Sequence, residues 1–332
     1  MEWRLIIDER PRSGAENMAV DRLLMETVRA GGRPSLRFYR WAPPCLSLGR
    51  NQPFPGADVA AAAAARGIDL VRRPTGGQAV YHDREVTYSV AAPIAAIGSP
   101  RTAYRTINLA LIAGLRRLGA PAEVAPEQGA VRRSGKGPER APRQVAGPVP
   151  EQGPERHQRA GARGARATGV GPPAGSAARA PEWSVPCFAV AAPGEVVAGG
   201  RKLVGSAQRR EGAVLLQHGS VLLEDDQGLA AALLGGGAAD GGTAALPVRT
   251  VGAAAGDGAA SSSYPAAASG VTSLDALLGA PPAWDAVVAA LAAGFEEVLG
   301  VRLVPGALLA DEASRIAAEA ERFRSREWIL RR

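Results

Sequence analysis

Residues 127 to 182, "EQGAVRRSGKGPERAPRQVAGPVPEQGPERHQRAGARGARATGVGPPAGSAARAPE", contain hardly a large apolar side chain, so no packed core can run through them. The segment buries too little to offset the entropy of ordering it, and its ragged repeat of "PEQG" fits low-complexity expansion. It reads as a disordered basic insertion. Residues 235 to 270, with "GGGAADGG" and "GAAAGDGAASSSYPAAASG", have the same character and less charge. Between and around these two insertions roughly 240 residues remain, which suits one domain spanning 1–332 and interrupted twice.

The insertion also settles the meaning of the charge. The chain has a net charge of +7, but residues 127 to 182 hold ten Lys/Arg against five Glu, which is +5 of that total. The foldable remainder is nearly neutral, so a nucleic-acid-binding face is not expected. No stretch reaches the roughly 18 apolar residues of a membrane span, and "MEWRLIIDER" has no signal-peptide apolar region. The expectation is a cytoplasmic protein that binds no membrane. Two cysteines and three histidines, none at zinc-ligand spacing, predict neither a disulfide framework nor a metal site.

The foldable parts alternate between helix and strand signals. Ser13 and Glu16 stand at capping-box spacing before "NMAVDRLLMETV", where Met18, Leu24, Met25 and Val28 recur near helical period. "LRFYRW", "CLSLG", "IDLVRR" and "EVTYSVAA" read as strands, and "VAAAAAARG" as a small helix. Ser99 and Pro100 open a helix that Gly119 closes. "SVPCFAVAA", "GEVVAGG", "RKLVGSAQRR" and "AVLLQHGSVLL" are four further strand-like runs, and two helices follow, "AWDAVVAALAAGFEEVLG" and "ADEASRIAAEAERFRS". This order predicts an α/β (α+β) fold, a mixed sheet flanked by helices.

Chemistry concentrates in two places. In "RRPTGGQAVYHD", Gly76 and Gly77 permit a close backbone approach, Arg72 and Arg73 are cations beside it, and His82 follows; a plain tight turn fits the glycines equally well. In "PCFAVAAPGEVVAGGRKLVGSAQ", Lys202 draws notice because the chain writes nearly all its positive charge as Arg. The only other lysine, Lys136, lies in the first insertion. A Lys near Cys187 favours a thiolate, which is a competent acyl acceptor, while a cysteine beside Phe188 fits inert core equally well; Cys45 in an apolar strand reads as core.

"RRPTGGQAVYHD" with "TYS", then "GRKLVGSAQRREGAVLLQHGSVLL", resembles the lipoate-protein ligase and octanoyltransferase group of the biotin/lipoyl protein ligase superfamily. "WRLIIDERPRSGAENMAVD", "RFYRWAPPCLSLGRNQ" and "FRSREW" are similar to that group too. "VPCF" ahead of the lysine motif makes the LipM type of octanoyltransferase the most similar. This resemblance implies that octanoyl passes from octanoyl-acyl carrier protein to Cys187 and on to a lysine of a lipoyl domain, in the glycine cleavage H protein or an E2 subunit. It implies Lys202 as the cation that favours the thiolate. It also implies that Arg73, Thr75, Gly76, Gly77 and His82 bind substrate, with Gly205, Ser206 and Ala207 as a small-residue wall offering N–H groups to an oxyanion. His218 matches a structural or substrate-lining position. No cofactor and no metal are implied, and a monomer is expected.

Gln78 stands where the ATP-dependent ligases carry a third glycine, which weakens a nucleotide reading. Three alternatives remain open at this point: a lipoate ligase with Arg72 and Arg73 facing nucleotide, an amidotransferase that takes octanoyl from the H protein, and a non-catalytic binding protein whose basic insertion docks acidic partners.

Overall fold

The computed structural model describes residues 1–126, 187–188, 191–235 and 270–331. Nearly all of both predicted insertions therefore lies outside the described residues. The strands are β1 (Glu2–Ile7), β2 (Ser35–Tyr39), β3 (Cys45–Leu48), β4 (Asp69–Arg72), β5 (Val80–His82), β6 (Glu85–Pro93), β7 (Ala122–Val124), β8 (Val196–Ala198), β9 (Arg201–Glu211), β10 (Val214–Leu222) and β11 (Arg302–Gly306). The helices are α1 (Gly14–Arg29), α2 (Ala57–Ala64), α3 (Ile94–Ile97), α4 (Pro100–Arg117), α5 (Gly228–Leu234), α6 (Leu274–Leu278), α7 (Trp284–Leu299), α8 (Ala310–Arg324) and α9 (Arg326–Ile329).

Among the described residues the strands form a sheet of eight, in the order β11-β1-β2-β6-β10-β9-β8-β7, and a sheet of three, β4-β3-β5. The large sheet is mixed: β1 runs parallel to both β11 and β2, and the pairs from β2–β6 through to β8–β7 are antiparallel. This is the predicted fold class. Alternation along the central strands sorts side chains to two faces. Leu36, Phe38, Val86, Tyr88, Val90 and Leu215 point into a core closed by α4 and α7. On the other face Ala91, Val214 and Leu216 meet Val20, Leu23, Leu24 and Met25 of α1 and Ile316 of α8.

That second face turns polar towards the middle of the sheet. Arg37 of β2 is fully buried there and bonds Asp8 at 2.7 Å, Asp21 at 2.9 Å and the Asn17 side chain at 2.7 Å. Burial works against the Arg37 cation, and the two carboxylates overcome it, holding its pKa above the ordinary value. The network fixes α1 across the sheet at the depth the site requires.

Local signals mark most of these elements. Ser13 and Glu16 close the expected capping box on α1, and Ser99 caps α4 with Pro100 at its first position. Cys45 is fully buried in β3, as its apolar neighbours predict, and burial pushes its thiol well up. One expectation fails: "SVPCFAVAA" reads as a strand, yet Cys187 and Phe188 form a turn. In that turn the aromatic side chain is buried and Cys187 is only half-buried, and residues 184–186 and 189–190 of the run lie outside the described residues.

The glycine turn answers a packing need. Gly77 has φ +89°, and a Cβ placed on Gly49 at the end of β3 would lie 1.8 Å from the Gly77 carbonyl oxygen. Two backbones meet there with no room for a methyl group. Gly49→Ala is expected to cost about 1–3 kcal/mol in chemical denaturation, because β3 and the turn must separate. An unchanged midpoint would show that the contact yields freely.

Candidate functional site

The small sheet covers the polar face of the large one, and a cleft opens between them. Of the residues singled out in the sequence, Arg73, His82, Cys187, Gly205, Ser206 and Ala207 line it. Lys202, Thr75, Gly76 and Gly77 do not line it; Lys202 and Thr75 are buried and Gly77 is exposed. Trp41, Val80 and His218 complete much of the lining.

Cys187 is held by the very segments the sequence suggested. Its N–H donates to Ala79 O just past the glycine turn, at 3.0 Å. Lys202 Nζ donates to Cys187 O at 2.8 Å and lies 3.7 Å from Sγ. Its third partner is Glu195 Oε1 at 2.8 Å, so all three ammonium donors are occupied, on a side chain that is 1% exposed. Glu195 in turn accepts from the Ala192 N–H at 2.8 Å. A buried ammonium thus sits beside the thiol, and its carboxylate partner lies just ahead of β8. Sequence reasoning missed Glu195, because only the hairpin from β8 to β9 brings it to Lys202.

Phe188 anchors the turn from below. A Cβ on Gly205 would meet the Phe188 ring at 2.8 Å, so the small residue of β9 is what admits the aromatic. The Phe188 ring also lies 5.4 Å from Lys202 Nζ, in cation–π range. Among the described residues β9 pairs with β8 only up to Val204, leaving its outer edge without a strand neighbour from Gly205 onward. Alternate N–H groups of that stretch face the unpaired edge.

The two arginines beside the glycine turn have internal duties. Arg72 is fully buried and donates to Gly49 O, Gln52 O and Ile329 O, at 2.6, 2.6 and 2.8 Å. Trp328 Nε1 donates to Arg72 O at 2.8 Å, so α9 is stitched to the turn. Arg72 does not line the cleft. Arg73 donates to Gly76 O at 2.8 Å, Gln78 O at 2.6 Å and Ser47 O at 3.1 Å, gathering the turn's carbonyls around itself. Burial opposes its charge, and a thiolate at Cys187 supports it.

Two histidines are locked into parallel arrays. His82 stacks on Trp41 at 4.1 Å, its Nδ1 is 2.9 Å from Glu85 and its Nε2 is 2.7 Å from Ser47 Oγ. His218 has Nδ1 2.9 Å from Asp21 and Nε2 2.6 Å from Thr75 Oγ1. A carboxylate only accepts, so Nδ1 of His218 carries the proton and Thr75 donates to Nε2. Thr75 therefore ties the glycine turn to β10.

Burial holds His218 below its ordinary pKa against the pull of Asp21. Burial alone would raise Asp21, but His218, Arg37 and Ser89 together bring it below its usual value. The unfolded chain takes up protons that both native groups refuse, so stability rises with pH across each window. For His218 the contribution is complete above about pH 6.5 and declines as the pH falls towards the lowered folded value. Denaturation midpoints are expected to drop as the pH falls below about 6.5, and His218→Gln to flatten that slope. An equal slope in the variant would assign the loss to other groups.

The family described as "Lipoyl protein ligase A/B catalytic domain" matches residues 13–141. The chain is 34% identical to octanoyltransferase LipM of Kyrpidia tusciae across 99% of both chains. Octanoyltransferase LipM of Symbiobacterium thermophilum is 32% identical, across 99% of this chain and 98% of that one. Among solved structures, a lipoate-protein ligase A bound with ATP superposes with TM-score 0.64 at 21% identity, covering 99% of both chains. A bipartite lipoate protein ligase from Thermoplasma acidophilum gives 0.61 at 18% identity, covering 99% of this chain and 96% of that one. The solved structures agree on the fold, and the full-length sequence matches go further: this chain belongs to the LipM octanoyltransferase family.

Proposed function

We propose that the chain transfers an octanoyl group through a thioester on Cys187, taking it from octanoyl-acyl carrier protein and delivering it to a lysine of a lipoyl domain. Membership of the LipM family makes the chain an octanoyltransferase, and the observation that supports this route is the buried Lys202 beside the Cys187 thiol. The Cys187 thiolate attacks the donor's thioester carbonyl, forming a new C–S bond and a tetrahedral oxyanion. We assign the stabilisation of that oxyanion to N–H groups of β9 near Gly205, Ser206 and Ala207, whose outer edge has no strand neighbour among the described residues. The intermediate collapses with loss of the carrier's thiolate, leaving octanoyl on Cys187. The acceptor lysine's amine then attacks the same carbonyl, an amide forms, and the Cys187 thiolate departs as the amine loses a proton.

Lys202 stabilises the thiolate at each stage in which it is free, because an ammonium nearby favours the anionic sulfur. Its bond to Cys187 O fixes the turn, and Glu195 fixes Lys202. Trp41, Val80 and the small residues of β9 offer an apolar wall to the acyl tail. Arg73, Thr75, Gly76 and Gly77 act by shaping that wall, with His82 on its surface. Residues 1–332 act as one catalytic domain, and the monomer and the cytoplasm are its expected state and location. No helix among the described residues is long and apolar enough to cross a membrane.

The arginines weigh against an ATP-dependent ligase, since Arg73 gathers the turn's carbonyls and Arg72, bonded to Gly49 O, Gln52 O and Ile329 O, does not reach the cleft. The test is intact mass after mixing the protein with octanoyl-acyl carrier protein and no ATP. Gain of one octanoyl group, then its loss to an added lipoyl domain, is the expected result. Modification that needs ATP and free acid would overturn it. Acylation from the octanoylated H protein alone would place the chain among amidotransferases.

A further inference from the structure

Beyond the acyl cleft lies a second, polar cavity, bordered by Arg22, Arg50, Pro74, Arg209, Arg322 and Arg331. Glu211 is the one carboxylate on the same wall. Some of the charge is answered: Arg22 pairs with Glu26 at 3.0 Å and Glu319 at 2.6 Å, Arg322 with Glu319 at 3.6 Å, and Arg209 with Glu211 at 3.6 Å. Arg50 and Arg331 have no carboxylate partner among the described residues, and Arg331 lies over the Trp328 ring at 5.3 Å. Two cations left unpaired in a cavity already crowded with guanidinium groups are complementary to an anion.

The cavity's position relates it to the cleft. A bulge between β8 and β9 resets the alternation after Lys202, and from Gly205 onward the period of two places Gly205, Ala207 and Arg209 on one face. Gly205 packs on Phe188 next to the thiol, and Arg209 Nη1 donates to Pro74 O at 3.1 Å, directly before the Thr75 that bonds His218. Four residues of strand cover about 13 Å. A phosphopantetheine arm has about thirteen bonds between phosphorus and sulfur, which at the reach of an extended chain is about 16 Å. The arginine cavity therefore begins about one such arm away from the place where the thioester must sit.

We propose that this cavity holds the phosphate of a phosphopantetheine-type donor and so aligns its thioester with Cys187. The inference rests on the reading of Cys187 as the acyl acceptor. Its test compares octanoyl-pantetheine with octanoyl-4′-phosphopantetheine as donors to the full-length protein, reading the initial rate of Cys187 acylation by intact mass at low donor concentration. The phosphorylated donor is expected to react about tenfold faster or more, through a lower KM, as charge-assisted hydrogen bonds to phosphate allow. In Arg50→Gln/Arg331→Gln the ratio of the two rates is expected to fall towards one. Because the quantity is a ratio within one variant, partial loss of folded protein cancels from it. A ratio near one in the unaltered protein, or one that survives both substitutions, overturns the proposal while leaving the Cys187 reading intact. Failure of both donors to acylate Cys187 sinks that reading and this inference with it.

Discussion

Cys187→Ala removes the acyl acceptor and is expected to lower octanoyl transfer by about four orders of magnitude or more, the scale seen when an enzyme loses its nucleophile. No mass adduct forms on this variant. The turn that carries residue 187 is held by backbone bonds to Ala79 and Lys202, and neither involves the thiol. The variant should therefore unfold within about 1 kcal/mol of the parent, since the half-buried sulfur contributes little packing. Lost activity with preserved stability assigns a chemical role. Retained transfer would remove Cys187 from the reaction and revive a direct route through an activated carboxylate.

Lys202→Met is expected to lose both transfer and stability. The ammonium that favours the thiolate disappears, and Glu195 is left as a nearly buried carboxylate without its cation, a defect that typically costs about 3–5 kcal/mol. The double variant Lys202→Met/Glu195→Gln neutralises the orphan and is expected to regain most of the lost stability. It should regain almost none of the transfer, measured as acylation of a lipoyl domain. Should the double variant recover both, Lys202 would be no more than a brace for the turn.

Much of this was legible because it is local. The capping box of α1, the Pro-opened α4 and the alternating runs of β6 and β10 each carry their signal within a few residues. Lys202 stood out because lysine is scarce in this chain, and Cys187 because it precedes that lysine at short range. The strand β1 was missed: only Trp3 and Ile6 are fully inward, three positions apart, so no period of two shows. Arg37 reads as a surface residue in "LRFYRW", and nothing in that stretch announces that Asp8 and Asp21 will close over it. The same holds for Glu195, for the bond between Thr75 and His218, and for the arginine cavity, whose members come from five separated segments. Partners supplied by the topology leave no mark on local sequence. The duty of Arg72 follows the same logic, since its carbonyl partners lie up to 257 positions away.

In the large sheet, β1 sits between β2 and β11, and Arg72 receives its last partner from Ile329. The strand β1 must therefore wait, with one edge open, until residues 302–306 have been made. The glycine turn gains its final brace only with the closing helix. Pairings of such long sequence separation are slow to form, because the loop must close before the contacts reward it. Assembly of the nucleophile's surroundings is thus deferred until residues 302–329 have been made, and a product released before them would carry Cys187 and Lys202 without the framework that supports them.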